Sequence, residues 1–281
     1  MDYPPPHIQD PRSAHTHTVI LLHGRGSDGP ELAEDFLSGM TSQRISLSDS
    51  LPSLRWVFPT SRIRQSTVFK EEMCTWFDAS SLDDIQKDSE LQIEGLRESV
   101  HHIIGILESE ISLLDGRSDR VFLGGISQGM ATSLWALLCA PGRVTTPLAG
   151  FLGSCGWLPF SHQAEHLMSC SGTQLDSNHR KRLTSEFFRN TITDPTTPLT
   201  QDTDSLSVLE TPVFLSHGGD DPYVSISLGQ QAAQVLRAID MNVEQHEFTG
   251  AEADGHWIKE PEGFDQILRF IQQHKANSHT V

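Results

Sequence analysis

The chain has 281 residues, a length ordinary for one α/β sheet domain and ample for a buried core. Its formal charge is −17 and no run of Lys and Arg offsets it, which argues against a nucleic-acid partner and reads as a solvated, soluble surface. No apolar run approaches a membrane span, the N-terminus lacks a signal-peptide pattern, and the four cysteines (Cys74, Cys139, Cys155, Cys170) show neither a C-x-x-C pair nor zinc spacing. A reduced, cytoplasmic protein is therefore expected.

Residues 1–16, rich in Pro and His, read as a flexible leader before a single domain over 17–281. Thr18–Leu22 is a β-branched and apolar run, a buried strand. A glycine-rich loop, His23–Gly29, follows it. Pro30 then opens a helix to Met40, with proline in the first turn. Leu54–Phe58 is a second strand. Ser89–Leu114 is the longest helix candidate, with one apolar stripe through Leu96, Val100, Ile103, Ile104, Leu107 and Ile111. A strand over 120–125 and a helix over 128–140 come next. Further strands are expected at Pro147–Gly153, Thr211–Ser216 and Val243–Phe248, and helices at about 225–239 and 261–275. Alternating β and α segments imply a mostly parallel sheet covered on both faces. The stretch from about 160 to 210 breaks the pattern. It is rich in Ser, Thr, Asp and Asn, with one short helix suggested by Leu183, Phe187 and Phe188, and it reads as an insertion or lid over the C-terminal edge of the sheet.

Chemistry concentrates at three of these strand ends. The expected strand at 120–125 runs into Gly125-Ile126-Ser127-Gln128-Gly129, the strand–turn–helix pattern that lifts a serine onto a sheet edge. Side chains at Gly125 or Gly129 would collide with the neighbouring strand or helix. The strand after Thr211 ends in Ser216-His217-Gly218-Gly219-Asp220-Asp221-Pro222, where a carboxylate can hold a histidine tautomer. Both Asp220 and Asp221 are candidates; Asp221, before Pro222 at the far end of the turn, is placed ahead. Asp254-Gly255-His256-Trp257 supplies a loop histidine after the last strand, a base for Ser127. The order Ser…Asp…His is that of α/β-hydrolases. An oxyanion hole then needs two backbone N–H groups, and Gln128 and Arg25 are the candidates. Of the other histidines, His217 reads as a structural turn residue and His246 as a packing or surface residue. No metal site is expected.

The same early loop spells Gly24-x-Gly26-x-x-Gly29, a dinucleotide fingerprint, with Asp49 about twenty positions on. Asp49 sits in a Ser-rich stretch rather than at an apolar strand end, and Pro30 stands where a cradling N–H is useful, so no cofactor is expected.

Together Leu22-His23-Gly24-x-Gly26-Ser27-Asp28, Thr75-Trp76-Phe77-Asp78, Gly125-Ile126-Ser127-Gln128-Gly129, Ser154-Cys155-Gly156-Trp157-Leu158-Pro159, His217-Gly218-x-x-Asp221-Pro222-x-Val224 and Gly255-His256 resemble the acyl-protein thioesterase and phospholipase/carboxylesterase family of α/β-hydrolases. The resemblance spans about residues 18–275. It implies the α/β-hydrolase fold, Ser127 as nucleophile, Asp221 as acid, His256 as base and oxyanion donors at Arg25 and Gln128. It also implies that Trp76, Phe77 and Trp157 meet the substrate, an acyl ester or thioester. Three departures stand out: the long 160–210 stretch, Arg25 where animal members usually carry an apolar residue, and Met130 where a second glycine is common. The expected activity is hydrolysis of esters or thioesters through an acyl-enzyme. An acyltransferase or lactone-forming thioesterase with the same triad, motivated by the long insert, and a non-catalytic binding protein on the same scaffold are the alternatives.

Overall fold

The computed structural model describes residues 2–81, 84–170, 176–193 and 206–277. Its elements in chain order are β1 (His7–Gln9), β2 (His17–Leu22), α1 (Gly29–Ser38), α2 (Leu47–Ser50), β3 (Leu54–Phe58), β4 (Ile63–Gln65), β5 (Glu72–Cys74) and α3 (Leu91–Leu113). There follow β6 (Val121–Ile126), α4 (Gln128–Cys139), β7 (Gly150–Ser154), α5 (Ser161–Cys170), α6 (Ser177–Ile192), β8 (Val213–Gly218), α7 (Ile226–Ala238), β9 (Val243–Phe248) and α8 (Glu262–Asn277).

Seven strands form one sheet in the order β1-β3-β2-β6-β7-β8-β9, and every pairing except β1 with β3 is parallel. From β2 the chain steps outward to β3, then returns to place β6 on the other side of β2. The loops leaving β2 and β6 therefore diverge at adjacent strand ends, the switch point at which open α/β sheets build their sites. Alternate residues of each strand serve opposite faces. Ile20, Leu123, Val213 and Leu215 join a cluster with α3, α4, α6 and α7, whereas Val19, Phe122 and Phe214 join one with α1 and α8. Helix α4 is buried along its whole length, which explains its apolar composition without a polar face. Helix α1 begins where Asp28 accepts a hydrogen bond from Glu31 N at 2.9 Å, with Pro30 in the first turn.

Two expectations are corrected. Residues 2–16 are not a free leader. His7–Gln9 pair antiparallel with Trp56–Phe58, and the backbone amides of Arg12 and Ser13 donate to Pro52 O at 2.7 and 3.0 Å. The Tyr3 ring stacks on His102 with centroids 3.8 Å apart and lies under the Arg62 guanidinium. An edge strand needs only backbone groups, so its side chains need carry no period-two pattern.

The second correction concerns 160–210. Its described part is two helices, α5 and α6, and a short turn, not a lid. Helix α6 packs on α3 and α4, and α5 on α6 and α7. Phe188 is fully buried against Trp135, edge to face at 4.7 Å, and Phe160 meets the same indole at 5.6 Å. The apolar residues that suggested one short helix thus belong to a 16-residue helix docked on the body of the sheet's helical layer.

Candidate active site

Ser127 leaves β6 with φ 55° and ψ −122°, a region that L-residues rarely occupy. The reason lies in its flanks. A Cβ on Gly125 would stand 2.6 Å from Gly129 C, and one on Gly129 would stand 2.1 Å from Leu22 O. Strand β2 and helix α4 thus pass close enough to admit only glycine, and the chain must turn sharply at the residue between them. Ser127 N donates to Ser154 O at 2.9 Å, which anchors the turn to β7. Met130 fills the space over Gly153 and Gly156, where an added Cβ would come within 3 Å of its side chain.

Beyond β8, Asp221 accepts four approaches. Its Oδ1 takes Tyr223 N at 2.9 Å and Val224 N at 3.0 Å, and its Oδ2 lies 2.7 Å from His256 Nδ1 and 3.4 Å from His217 Nε2. Burial pushes this carboxyl up, but the hydrogen bonds from His217, His256 and the Val224 amide outweigh it and hold Asp221 well below the ordinary carboxylate range. Asp221 therefore stays anionic and fixes the proton of His256 on Nδ1, leaving Nε2 as the acceptor. Asp220 does something else. Its Oδ2 accepts from Gly250 N at 2.7 Å, and it crowds Gly255, which turns at φ 93°. Asp220 shapes the loop that carries His256. His217 is buried and donates from Nε2 to Val224 O at 2.9 Å, tying the ends of the acidic turn.

On the other side, the loop after β2 is held from beneath. His23 is buried; its Nδ1 donates to Gly24 O at 2.6 Å and its Nε2 accepts from Ser61 N at 3.0 Å. Burial brings its pKa down to about 4, so it is a neutral strut. Trp76 Nε1 donates to His23 O at 2.9 Å. The Gln128 side chain locks the next segment: its Oε1 accepts from Thr75 Oγ1 at 2.8 Å and Trp76 N at 3.0 Å, and its Nε2 donates to Phe77 O at 2.7 Å. The main-chain amides of Arg25 and Gln128 make no hydrogen bond among the described residues. Both belong to residues that border the same cleft as Ser127 and His256. Two open N–H donors beside a strained serine and a carboxylate-oriented histidine are the parts needed for acyl transfer.

The cleft has a volume of about 450 Å³. Its floor is Gly24–Ser27, Ser127, Gln128 and His256. Its sides include Phe77, Trp157 and Tyr223, and Phe69 and Met73 reach it from the β4–β5 hairpin. Of the three residues expected to meet substrate, Phe77 and Trp157 border the cleft. Trp76 does not: it is fully buried under the loop, bonded to His23 and Gln128, and acts as support. No described residue of 160–210 borders the cleft. With Gln92 of α3, the roof comes instead from Ala79, Ser81 and Ile85, in a stretch between β5 and α3 for which the sequence suggests no element. Its one signal was the alternation Met73, Thr75, Phe77 leading out of β5. Asp49, the acid of the dinucleotide pattern, is held in α2 by Arg12 and Ser46. Among the described residues one group offers clustered metal-type ligands, Cys155 with Asp221 and His256. Burial pushes the Cys155 thiol up to about 12, which disfavours the thiolate a metal needs.

The sequence profile of the phospholipase/carboxylesterase family matches residues 4–179 and 183–275. The chain belongs to that family. It is an ester or thioester hydrolase of the α/β-hydrolase fold. Curated relatives include acyl-protein thioesterase 1 of Cryptococcus neoformans, 27% identical over 228 residues that cover 80% of this chain and 75% of the relative. Acyl-protein thioesterase 1 of Gibberella zeae is 26% identical over 267 residues, covering 93% and 92%. Among solved structures, acyl-protein thioesterase 2 of Zea mays superposes with a TM-score of 0.65 at 22% identity, covering 96% of this chain and 98% of that one, which is likeness of fold.

Proposed function

We propose that the chain cleaves carboxylic thioesters and esters of acyl groups through a covalent acyl intermediate on Ser127. The observation that carries this is the 2.7 Å bond from Nδ1 of His256, which borders the same cleft as Ser127, to the buried carboxylate of Asp221 behind it. His256 Nε2 takes the Ser127 proton as Oγ attacks the carbonyl carbon. The oxyanion collects the free N–H groups of Arg25 and Gln128. Collapse expels the alcohol or thiol, which leaves with the proton from His256. Water then adds to the acyl-serine with His256 again as base, and the acid departs. One water is consumed for each acid and each alcohol or thiol released.

The thioesterase names of the curated relatives support acyl thioesters, on small molecules or on proteins, as substrates. Water as the acceptor is supported by the placement of α5 and α6 away from the cleft, since the acyltransferase alternative drew on a roof formed by that insert. A cytoplasmic setting is in keeping with Cys74, Cys139 and Cys155, which carry no disulfide, and no helix among the described residues is long and apolar enough to cross a membrane. A fluorophosphonate probe tests the assignment: wild-type protein should be labelled and Ser127→Ala should not. Equal labelling of the two, or none of the wild type, refutes it.

A further inference from the structure

Buried polar side-chain atoms without hydrogen-bond partners are scarce in folded proteins, and each asks for a reason. Three of those among the described residues belong to residues that border the one cleft: Arg25 Nη1, Trp157 Nε1 and Gln92 Oε1. Two are donors and one is an acceptor. Arg25 weighs most, because a guanidinium does not shed its charge at any pH an enzyme meets. It forms no ion pair among the described residues, and burial pulls its pKa down, with Asp78 the charge that opposes the shift. Asp78 is already occupied. Its Oδ1 accepts from Thr67 N at 3.0 Å and Ala79 N at 2.8 Å, and its Oδ2 accepts from Thr67 Oγ1 at 2.5 Å. The acids that do border the cleft, Glu31 and Asp35, lie exposed on α1 and make no ion pair with Arg25.

A plain hydrocarbon chain entering this cleft strips the remaining water from a cation and gives nothing back. An anionic group entering it completes a charge-assisted pair of the kind guanidinium favours. The amide of Arg25 is the proposed oxyanion donor, so its side chain starts beside the reacting carbonyl. We infer that the substrate carries a carboxylate-type anion about one arginine side chain's length from the reacting carbonyl, bound by Arg25, with Trp157 Nε1 as a further donor and Gln92 Oε1 as an acceptor for its polar groups. The inference rests on the hydrolase reading above and narrows it from acyl esters in general to anionic ones, such as half-esters or half-thioesters of short dicarboxylic acids.

The test uses the full chain and two matched pairs of esters. In the first, 4-nitrophenyl pentanoate is compared with the 4-nitrophenyl half-ester of glutaric acid, which places the anion on the acyl side. In the second, the pentanoyl ester of 4-hydroxybenzoate is compared with that of its methyl ester, which places it on the leaving group. Wild-type enzyme should favour the anionic member of one pair in kcat/KM, and that pair identifies the side Arg25 serves. Arg25→Met should lower that preference about ten- to a hundredfold, the worth of a charged hydrogen bond, while Arg25→Lys keeps part of it. A general loss from disturbing the loop falls on both members and cancels in the ratio. Wild-type preference for the neutral member in both pairs overturns the inference without any variant. So does a ratio that Arg25→Met leaves unchanged in both. Ser127-dependent cleavage of neutral esters alongside such a ratio defeats only this inference, whereas turnover that survives Ser127→Ala defeats the hydrolase reading beneath it.

Discussion

Two stretches interrupt the strand–helix alternation, 63–90 and 160–210, and they end in opposite places. The later one is longer and more polar, yet its described part is a brace: Phe188 and Phe160 close on Trp135, and α6 shares the layer of α3 and α4. The earlier one is short and strongly charged, yet Phe69, Met73, Phe77 and Ile85 line the cleft. Length and polarity do not decide which insertion covers a site. The strand end from which it departs does. Residues 63–90 leave β3, next to β2 and the switch point, whereas α5 follows β7 and is carried over the helical face.

The contrast presumes that the chemistry sits in the framework under the roof and in neither insertion. Asp221→Asn tests this most severely. With the wrong tautomer on His256, kcat should fall by about 10⁴, while Asp220→Asn, which bonds Gly250 rather than His256, should cost less than tenfold. The reverse order would move the acid to Asp220. Next in size is the brace itself. Phe188→Ala should lower unfolding free energy by roughly 3–5 kcal/mol in a denaturant titration and leave kcat/KM of the remaining folded enzyme within twofold. A specific loss of activity at full stability would show that α6 reaches the site after all.

The framework also has a pH signature. His23 and His102 are both brought down to about 4 by burial. Between that value and the ordinary 6.5 of the unfolded chain, the unfolded state binds more protons. Stability should therefore be full above about pH 6.5 and fall as pH drops toward 4, by up to roughly 3 kcal/mol from His23 alone. Thermal melts at pH 7 and 5 would read this, and His23→Gln should flatten the slope. Smallest is the roof. Phe69 is half exposed, so Phe69→Ala should change stability by less than about 0.5 kcal/mol and raise KM for acyl esters several-fold. If it destabilises as Phe188→Ala does, roof and brace are one structure.

How far the sequence could be read follows from where each determinant resides. The elbow was legible because Gly125, Ser127 and Gly129 are forced by contacts within a dozen residues and one neighbouring strand. The Asp221–His256 pair was legible because Asp221 lies just past the apolar run Val213–Leu215 and His256 lies in the loop beyond the last strand, β9. Choosing between Asp220 and Asp221 was harder, for beside the local contacts of Val224 and His217 the choice is made by Gly250 and His256, which fold back from thirty and thirty-five residues away. The β4–β5 hairpin escaped notice because Arg62, Arg64, Glu71 and Glu72 interrupt its apolar period and Lys70, not glycine, takes the positive φ of its turn. The brace role of Phe188 needed Trp135, some fifty residues away, and local pattern holds nothing of that pairing.

Strand β1 has a consequence for handling the protein. It occupies the outer hydrogen-bonding edge of β3, where Leu54, Trp56, Val57 and Phe58 are all buried. Trimming the first ten residues, or displacing them with a fused tag, uncovers a hydrophobic edge ready to pair with the same edge of a second molecule. Such trimmed material should therefore precipitate or form large species on a sizing column, and expression designs do better to attach tags at the other end, beyond α8.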